Sequence, residues 1–283
     1  MKKILVPCDF SAAARHAYRF ATEIAGINNG EVIVVKAIEL PNLYGNGMPG
    51  QPYSFVDPVA VISEWTQAAE KDFEVMKKAV GSTFANASFR VETGDVTDTI
   101  LQMIQAEEID LVVMGTNGAD GLKEFFVGSN TEKIVRSSPV PVFAIHNALH
   151  VSDVKNIIFP TSLDLTQNTL IEKIKGLQQL FHAVIHVLYI NYFTTTLVSD
   201  SEAQASLESY ARFYNLENYC LHVSRSANLE EGIAAYAERI PHSIIAMATH
   251  GNKGLAHLLM GSIAEDVVNH VSEPVWTYSI VQS

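Results

Sequence analysis

The run Met114–Ser129, MGTNGADGLKEFFVGS, holds the residues best suited to chemistry in this chain of 283 residues. Four glycines fall in it, Gly115, Gly118, Gly121 and Gly128; the first, second and last of them, with Ser129, give G-x2-G-x9-G-S. Glycine has no Cβ, so its N–H can approach a ligand closely and its φ can turn positive. The run begins at the end of an apolar stretch, 109–114, that reads as a buried strand, and it leads into 130–137, which reads as a helix. A strand, a glycine loop and a helix start gather free N–H groups and the positive end of a helix dipole at one place, which suits a phosphate. Ser129 adds a hydroxyl there. The same glycines would also serve as plain turn residues, and spacing alone leaves both readings open. The G-x4-G-K-[ST] pattern is absent, as is a G-x-G-x-x-G fingerprint after the first strand.

The elements that would position this loop follow from the chain in order. A short β-type run, 3–6, ends at Pro7-Cys8-Asp9, and Ser11 is suited to cap the helix expected over 12–25, with Ala13, Ala17, Phe20, Ala21 and Ile24 on one face. Gly26 to Gly30 should break it. Strand 32–38 is too apolar to have one side in water. Residues 40–58 are rich in proline, glycine and aromatics; they read equally as a flap over the loop site or as a surface insertion. A long helix over 59–80, a strand at 87–91, a helix at 96–107 led by Gly94-Asp95, the strand before the glycine loop, the helix after it and a strand at 140–146 complete a β-α alternation. Parallel strands need crossover connections, so this order predicts a parallel sheet with helices on both faces.

The pattern then starts again. Gly118, Gly128 and Pro141 recur 133 positions later as Gly251, Gly261 and Pro274, while Pro7 recurs 153 positions later as Pro160. The second copy is therefore shorter near its front, mostly through loss of the proline–glycine insertion. The prediction is two tandem doubly wound α/β domains, residues 1–147 and 154–283, each a five-stranded parallel sheet with helices on both faces.

The glycine spacing, the opening Lys3-Ile-Leu-Val-Pro-Cys-Asp-Phe-Ser11 and the closing Ser138-Pro-Val-Pro-Val-Phe143 resemble the ATP-binding universal stress proteins, and they do so twice along the chain. The resemblance implies an adenine-nucleotide alpha-hydrolase-like fold and an ATP site, with or without Mg2+. It implies that Asp9, with Pro7 and Cys8 beside it, meets the adenosine end, that Ala37 lies near the adenine and Met114-Gly115 beside the ribose. Gly118, Gly128, Ser129 and the Asn130 amide would hold phosphate oxygens. An aspartate at position 9 would also serve simply to cap the following helix. Members commonly dimerise through their last strand; here strands 141–146 and 274–280 are expected to pair within one chain, since an exposed apolar edge needs cover. Association of two chains into a homodimer stays open.

The copies differ where it matters. Gly115 corresponds to Ala248, and Asp9 to Ser162, with Asp164 two residues late. An added Cβ would push a closely held ligand away, and a lost buried hydrogen bond commonly costs ~1–3 kcal/mol. The first copy is thus expected to bind nucleotide, and the second to bind it weakly, through Gly251, Gly261 and Ser262, or to act as a partner domain. Lys123 and Lys253 stand in the two glycine loops, within reach of terminal phosphates or simply solvated, and His250 stands where the first copy has Asn117.

Other chemistries find little support. Each half carries a charge of −6 (12 basic and 18 acidic side chains in residues 1–150, 7 and 13 in the rest), with no basic block for nucleic acid or an anionic membrane. No apolar run approaches a membrane span, and the start lacks the length of a signal peptide. Cys8 and Cys220, in separate strand-like runs, are expected to be buried free thiols in a reduced cytoplasm. His182 and His186, if on one strand, lie ~13 Å apart, too far to share a metal; no Cys/His set has zinc spacing, and no metal is expected. No G-x-S-x-G elbow and no positioned general base is visible, so any ATP hydrolysis should be slow. The sequence reads as a stress-response sensor or regulator with an unidentified protein partner, or else as an interaction module with vestigial sites.

Overall fold

A computed structural model describes residues 1–39, 58–81, 86–116, 129–192, 198–249 and 256–279, without the side chains of 58 and 256–262. The first half runs β1 (Lys3–Pro7), α1 (Ala12–Asn28), β2 (Glu31–Ile38), α2 (Pro58–Val80), β3 (Ala87–Thr93), α3 (Val96–Ala106), β4 (Leu111–Gly115), α4 (Ser129–Ser137) and β5 (Val142–Ile145). A 3₁₀ turn at Val151–Asp153 joins it to the second half. There the order is β6 (Asn156–Pro160), α5 (Asn168–Phe181), β7 (Val184–Tyr192), α6 (Asp200–Phe213), β8 (Tyr219–Ser226), α7 (Leu229–Ala237), β9 (Ser243–Ala248), α8 (Ala256–His270) and β10 (Val275–Tyr278).

Local chemistry accounts for the helix ends. Ser11 caps α1, its hydroxyl accepting the Ala14 N–H at 3.1 Å. All five apolar positions expected on the inner face of α1 are buried. The helix nevertheless runs to Asn28, past Gly26, whose Cβ position is open space. A surface glycine weakens a helix by about 1 kcal/mol without ending it; Asn29, left-handed at φ +50°, supplies the stop. Asp95 caps α3 through the Asp98 N–H at 3.0 Å. Ser199 and Glu202 form a reciprocal capping box at the start of α6.

The ten strands form one sheet in the order β3-β2-β1-β4-β5-β10-β9-β6-β7-β8. Within each half the pairing is parallel throughout; at the centre, β5 and β10 pair antiparallel, with Trp276 opposite Phe143. The expected union of the two last strands within one chain is thus present. Its energetics are those of a domain core. Phe20 of α1, Phe143 of β5 and Phe181 of α5 gather with ring centroids 5.3 to 6.2 Å apart, and Trp276 belongs to the same buried cluster. On the other face, Asn269 of α8 donates to Glu132 of α4 at 3.2 Å, and Arg136 faces Glu265 at 3.7 Å. Glu23 of α1 holds the link, accepting from Val151 N–H at 2.6 Å and meeting His150 Nδ1 at 2.6 Å.

Candidate functional site: a cavity at the switch point of the first half

In the first half, the chain goes from β1 outward to β2 and β3, then returns past β1 to β4 and β5. Where the direction of winding reverses, the loops leaving the two central strands part and leave a crevice at their carboxyl ends. A cavity of about 190 Å³ lies there, between β1 and β4. Its walls are Pro7, Cys8 and Asp9 from the end of β1, Val35, Lys36 and Ala37 from β2, and Met114, Gly115 and Thr116 from β4. Asn130 and Thr131 of α4 close it, with Ala14, Val96 and Ile100 behind.

Seven of the residues proposed from sequence therefore meet around one space. Ser129 is the first residue of α4 and is exposed beside it. Gly118 and Gly128, with Asn117, Lys123 and nearly all of the 40–58 segment, lie outside the described residues. Sequence reasoning passed over Lys36, Thr116 and Thr131. The periodicity of an apolar strand hides Lys36, and Thr116 and Thr131 adjoin motif positions without belonging to the spacing.

Individual geometry refines several roles. Asp9 is exposed at the rim; its Oδ1 accepts the Ser11 N–H at 2.9 Å, while the helix cap itself is the Ser11 hydroxyl. Phe10, at φ +65°, makes the turn between them. Cys8 is buried as expected: its sulfur accepts from Phe10 N–H and lies 3.8 Å from Met76 Sδ, and burial pushes its pKa up to about 11. At neutral pH it is an inert thiol in the floor. A Cβ placed on Gly115 would lie 2.3 Å from the Ala13 carbonyl carbon and 2.5 Å from Ala14 N. That glycine lets the start of α1 rest directly on the end of β4.

Thr116 of the cavity wall also belongs to a buried pair, its Oγ1 lying 2.6 Å from His146 Nδ1. Burial lowers the His146 pKa from its ordinary 6.5 to about 4. The unfolded chain then binds the extra proton more readily, so the stability held by this group is fully present above about pH 6.5 and is lost as the pH falls through 4. One unit is worth about 1.4 kcal/mol, so the whole effect is roughly 3 kcal/mol. Urea unfolding at pH 7 and pH 4.5 should show a steep fall in stability, and His146→Gln should flatten it. An unchanged pH dependence in that variant would assign the effect elsewhere.

A model of the universal stress protein family matches residues 1–146 and again 153–279. The chain belongs to the universal stress protein family. It is similar to a universal stress protein of Synechocystis sp., 22% identical across 98% of this chain and all of that protein. It also resembles one from Methanocaldococcus jannaschii, 26% identical over 51% of this chain and 94% of that protein. The solved structure of a universal stress protein from Archaeoglobus fulgidus superposes with a TM-score of 0.72 over 98% of both chains, at 20% identity, which shares the fold.

The second universal stress protein half repeats the turn and changes the cavity. Leu163 takes φ +64°, like Phe10, and its N–H bonds to Thr161 Oγ1 as Phe10 N–H bonds to Cys8. A cavity of about 260 Å³ lies at the carboxyl ends of β6 and β9. It is lined by Thr161, Ser162 and Gln167 on one side and by Leu188, Ile190, Tyr192, Ile233 and Met247 on the other, with Ala248 between. No carboxylate is among its described lining residues. The residues named for the weaker anion site are described only in part. Gly251, His250 and Lys253 lie outside the described residues, while Gly261 and Ser262 fall inside α8, which begins at Ala256. Their N–H groups are beyond the first turn, where helix amides bond to carbonyls four residues back. Position 262 thus stands within α8, whereas Ser129 is the first residue of α4.

Two sequence expectations outside the cavities are corrected. His182 is not on the strand with His186 but ends α5 in a left-handed conformation. Cys220 is only half-buried on β8, because β8 lies at the edge of the sheet. At the end of α3, Glu107 pairs with Arg90, which holds its carboxyl below the usual range. Among the described residues, no helix is long and apolar enough to cross a membrane.

Proposed function

We propose that the first half binds ATP and that its occupancy lets this stress-response protein act as a sensor or regulator in a reduced cytoplasm. The observation that carries this reading is the meeting of Asp9, Ala37, Met114, Gly115 and the first turn of α4 around one cavity. In this reading the adenine and ribose lie along Val35–Ala37, Asp9 and Met114-Gly115. The phosphates extend past Ser129 and Asn130 toward Gly118 and Gly128. The positive end of α4 and its unbonded N–H groups favour that charge. Asp9 is the only carboxylate lining the described part of the cavity, and its placement just past the end of β1 suits a ribose hydroxyl better than an attacking water at the far end of the nucleotide. Hydrolysis would accordingly be slow, and Mg2+ would arrive with the nucleotide.

Calorimetry with Mg2+-ATP on ligand-free protein tests the proposal. One ATP per chain is expected, lost in Gly118→Val and weakened about 10- to 100-fold in Asp9→Ala, as for loss of a charge-assisted hydrogen bond. Failure of the unsubstituted chain to bind any nucleotide would overturn it. The alternative is an interaction module with vestigial sites, and it draws on the second half: Ser162, Ala248 and an apolar cavity replace the polar positions there.

A further inference from the structure

The second half contains a cluster that linear spacing does not reveal. Parallel pairing sets His186 of β7 opposite Cys220 of β8, and His222 follows two residues along β8 on the same side of the sheet. One donor atom from each of the three lies within 4.8 Å of the others. The His186 and His222 rings stack with centroids 5.5 Å apart, and Tyr236 of α7 packs against both. Cys220 and His222 are half-buried, so the cluster has a route to solvent at the sheet edge.

The hydrogen bonds around His186 identify its donor nitrogen. Asn156, on the opposite side of β7, gives its amide N–H to the Pro241 carbonyl at 2.8 Å. Its Oδ1 is therefore the acceptor facing His186 Nε2 at 3.0 Å. That fixes the proton on Nε2 and leaves the lone pair on Nδ1, which faces the Tyr236 hydroxyl at 2.9 Å. A histidine whose second ring N–H is anchored to an oxygen is the usual form of a metal-ligating histidine.

We propose that His186, Cys220 and His222 form a metal site for a borderline or soft transition ion, Zn2+ first. Two imidazoles and a thiolate suit Zn2+ or Cu+ far better than Mg2+ or Ca2+, which seek oxygen. A tetrahedral Zn2+ with bonds of about 2.0–2.3 Å keeps its donors roughly 3.3–3.7 Å apart, so the cluster contracts by about an ångström on binding. On binding, the cysteine thiol releases its proton to solvent and the Tyr236 hydroxyl yields its place at Nδ1. Water or that hydroxyl completes the fourth position. Its three ligands stand on β7 and β8, and the site does not depend on nucleotide binding in the first half.

Zn2+ titration of the full chain, kept reduced with a phosphine and read by competition with a chelating indicator, tests this directly. One tight equivalent per chain is expected. Cys220→Ser and His222→Gln should each abolish it, while Asn156→Ala, removing only the anchor, should weaken it about 10- to 100-fold. His182→Asn, which keeps the left-handed position at the end of α5, should bind as the parent does. Co2+ should give the near-ultraviolet thiolate charge-transfer band in the parent and none in Cys220→Ser, a readout that needs no comparison of folded stabilities. Absence of a stoichiometric Zn2+ equivalent in the parent, or a Co2+–thiolate band that survives Cys220→Ser, would overturn the assignment.

Discussion

Gly115→Ala is expected to destabilise the first half by roughly 3 kcal/mol, at the upper end of what overpacking a well-filled interior costs. The new methyl group would be placed 2.3 to 2.5 Å from three backbone atoms of Ala13 and Ala14. Backbone atoms at the start of a helix cannot rotate aside as a side chain can. Relief requires α1 to move off β4, and the Ser11 cap and the Asp9 turn travel with it. The second half explains why alanine is accepted at the matching position. α5 begins eight residues after Pro160, whereas α1 begins five after Pro7, a longer connection that leaves room for a side chain at Ala248. Ala248→Gly should accordingly cost no more than about 1 kcal/mol, the ordinary entropic penalty of glycine in a strand. Guanidinium unfolding followed by circular dichroism compares the two. A loss below 0.5 kcal/mol, taken as about the noise of a surface change, for Gly115→Ala would show that α1 is not seated as described.

Trp276→Ala should be the most damaging single truncation in the second half, at about 4 kcal/mol. Trp276 is fully buried, lies opposite Phe143 in the antiparallel seam and stacks near Tyr278 with centroids 6.1 Å apart. The cluster it belongs to draws buried side chains from both halves, so its loss should uncouple them. The parent is expected to unfold in one guanidinium transition and the variant in two. Trp65 is the only other tryptophan and is exposed, so Trp65→Phe leaves Trp276 as a clean fluorescence reporter of the seam. A single transition in Trp276→Ala, displaced by under about 1 kcal/mol, would mean the halves are joined chiefly by other contacts.

Much of this architecture was legible because it rests on short-range signals. Apolar runs separated by helical stripes, Ser11 and Asp95 ahead of helices, and the paired offsets of glycine and proline gave the alternation and the duplication. The union of β5 and β10 followed from two apolar last strands in need of partners. Other features depend on distances that sequence does not carry. His186 and Cys220 are 34 positions apart and meet only through the register of β7 with β8. Gly115 looked like a concession to a ligand, yet its nearest constraint is the backbone of α1. Ser262 aligns with Ser129, yet α8 begins six residues before it whereas α4 begins at Ser129, a difference in helix start that the aligned spacing does not carry.

The antiparallel seam reverses the sense of every strand from one half to the other. The carboxyl ends of β1 and β4 and the amino ends of β7 and β8 thus share one rim of the sheet, whereas the apolar cavity of the second half opens on the opposite rim. His186 is the third residue of β7, so it sits toward the rim that carries the first cavity. Six strand spacings of ~4.8 Å separate the two places, about 30 Å along the rim. A macromolecule lying along that rim would face the first cavity and the His186 cluster together, and one docked on the other rim would face neither. A single unbranched chain thereby has two addresses that do not compete for the same surface.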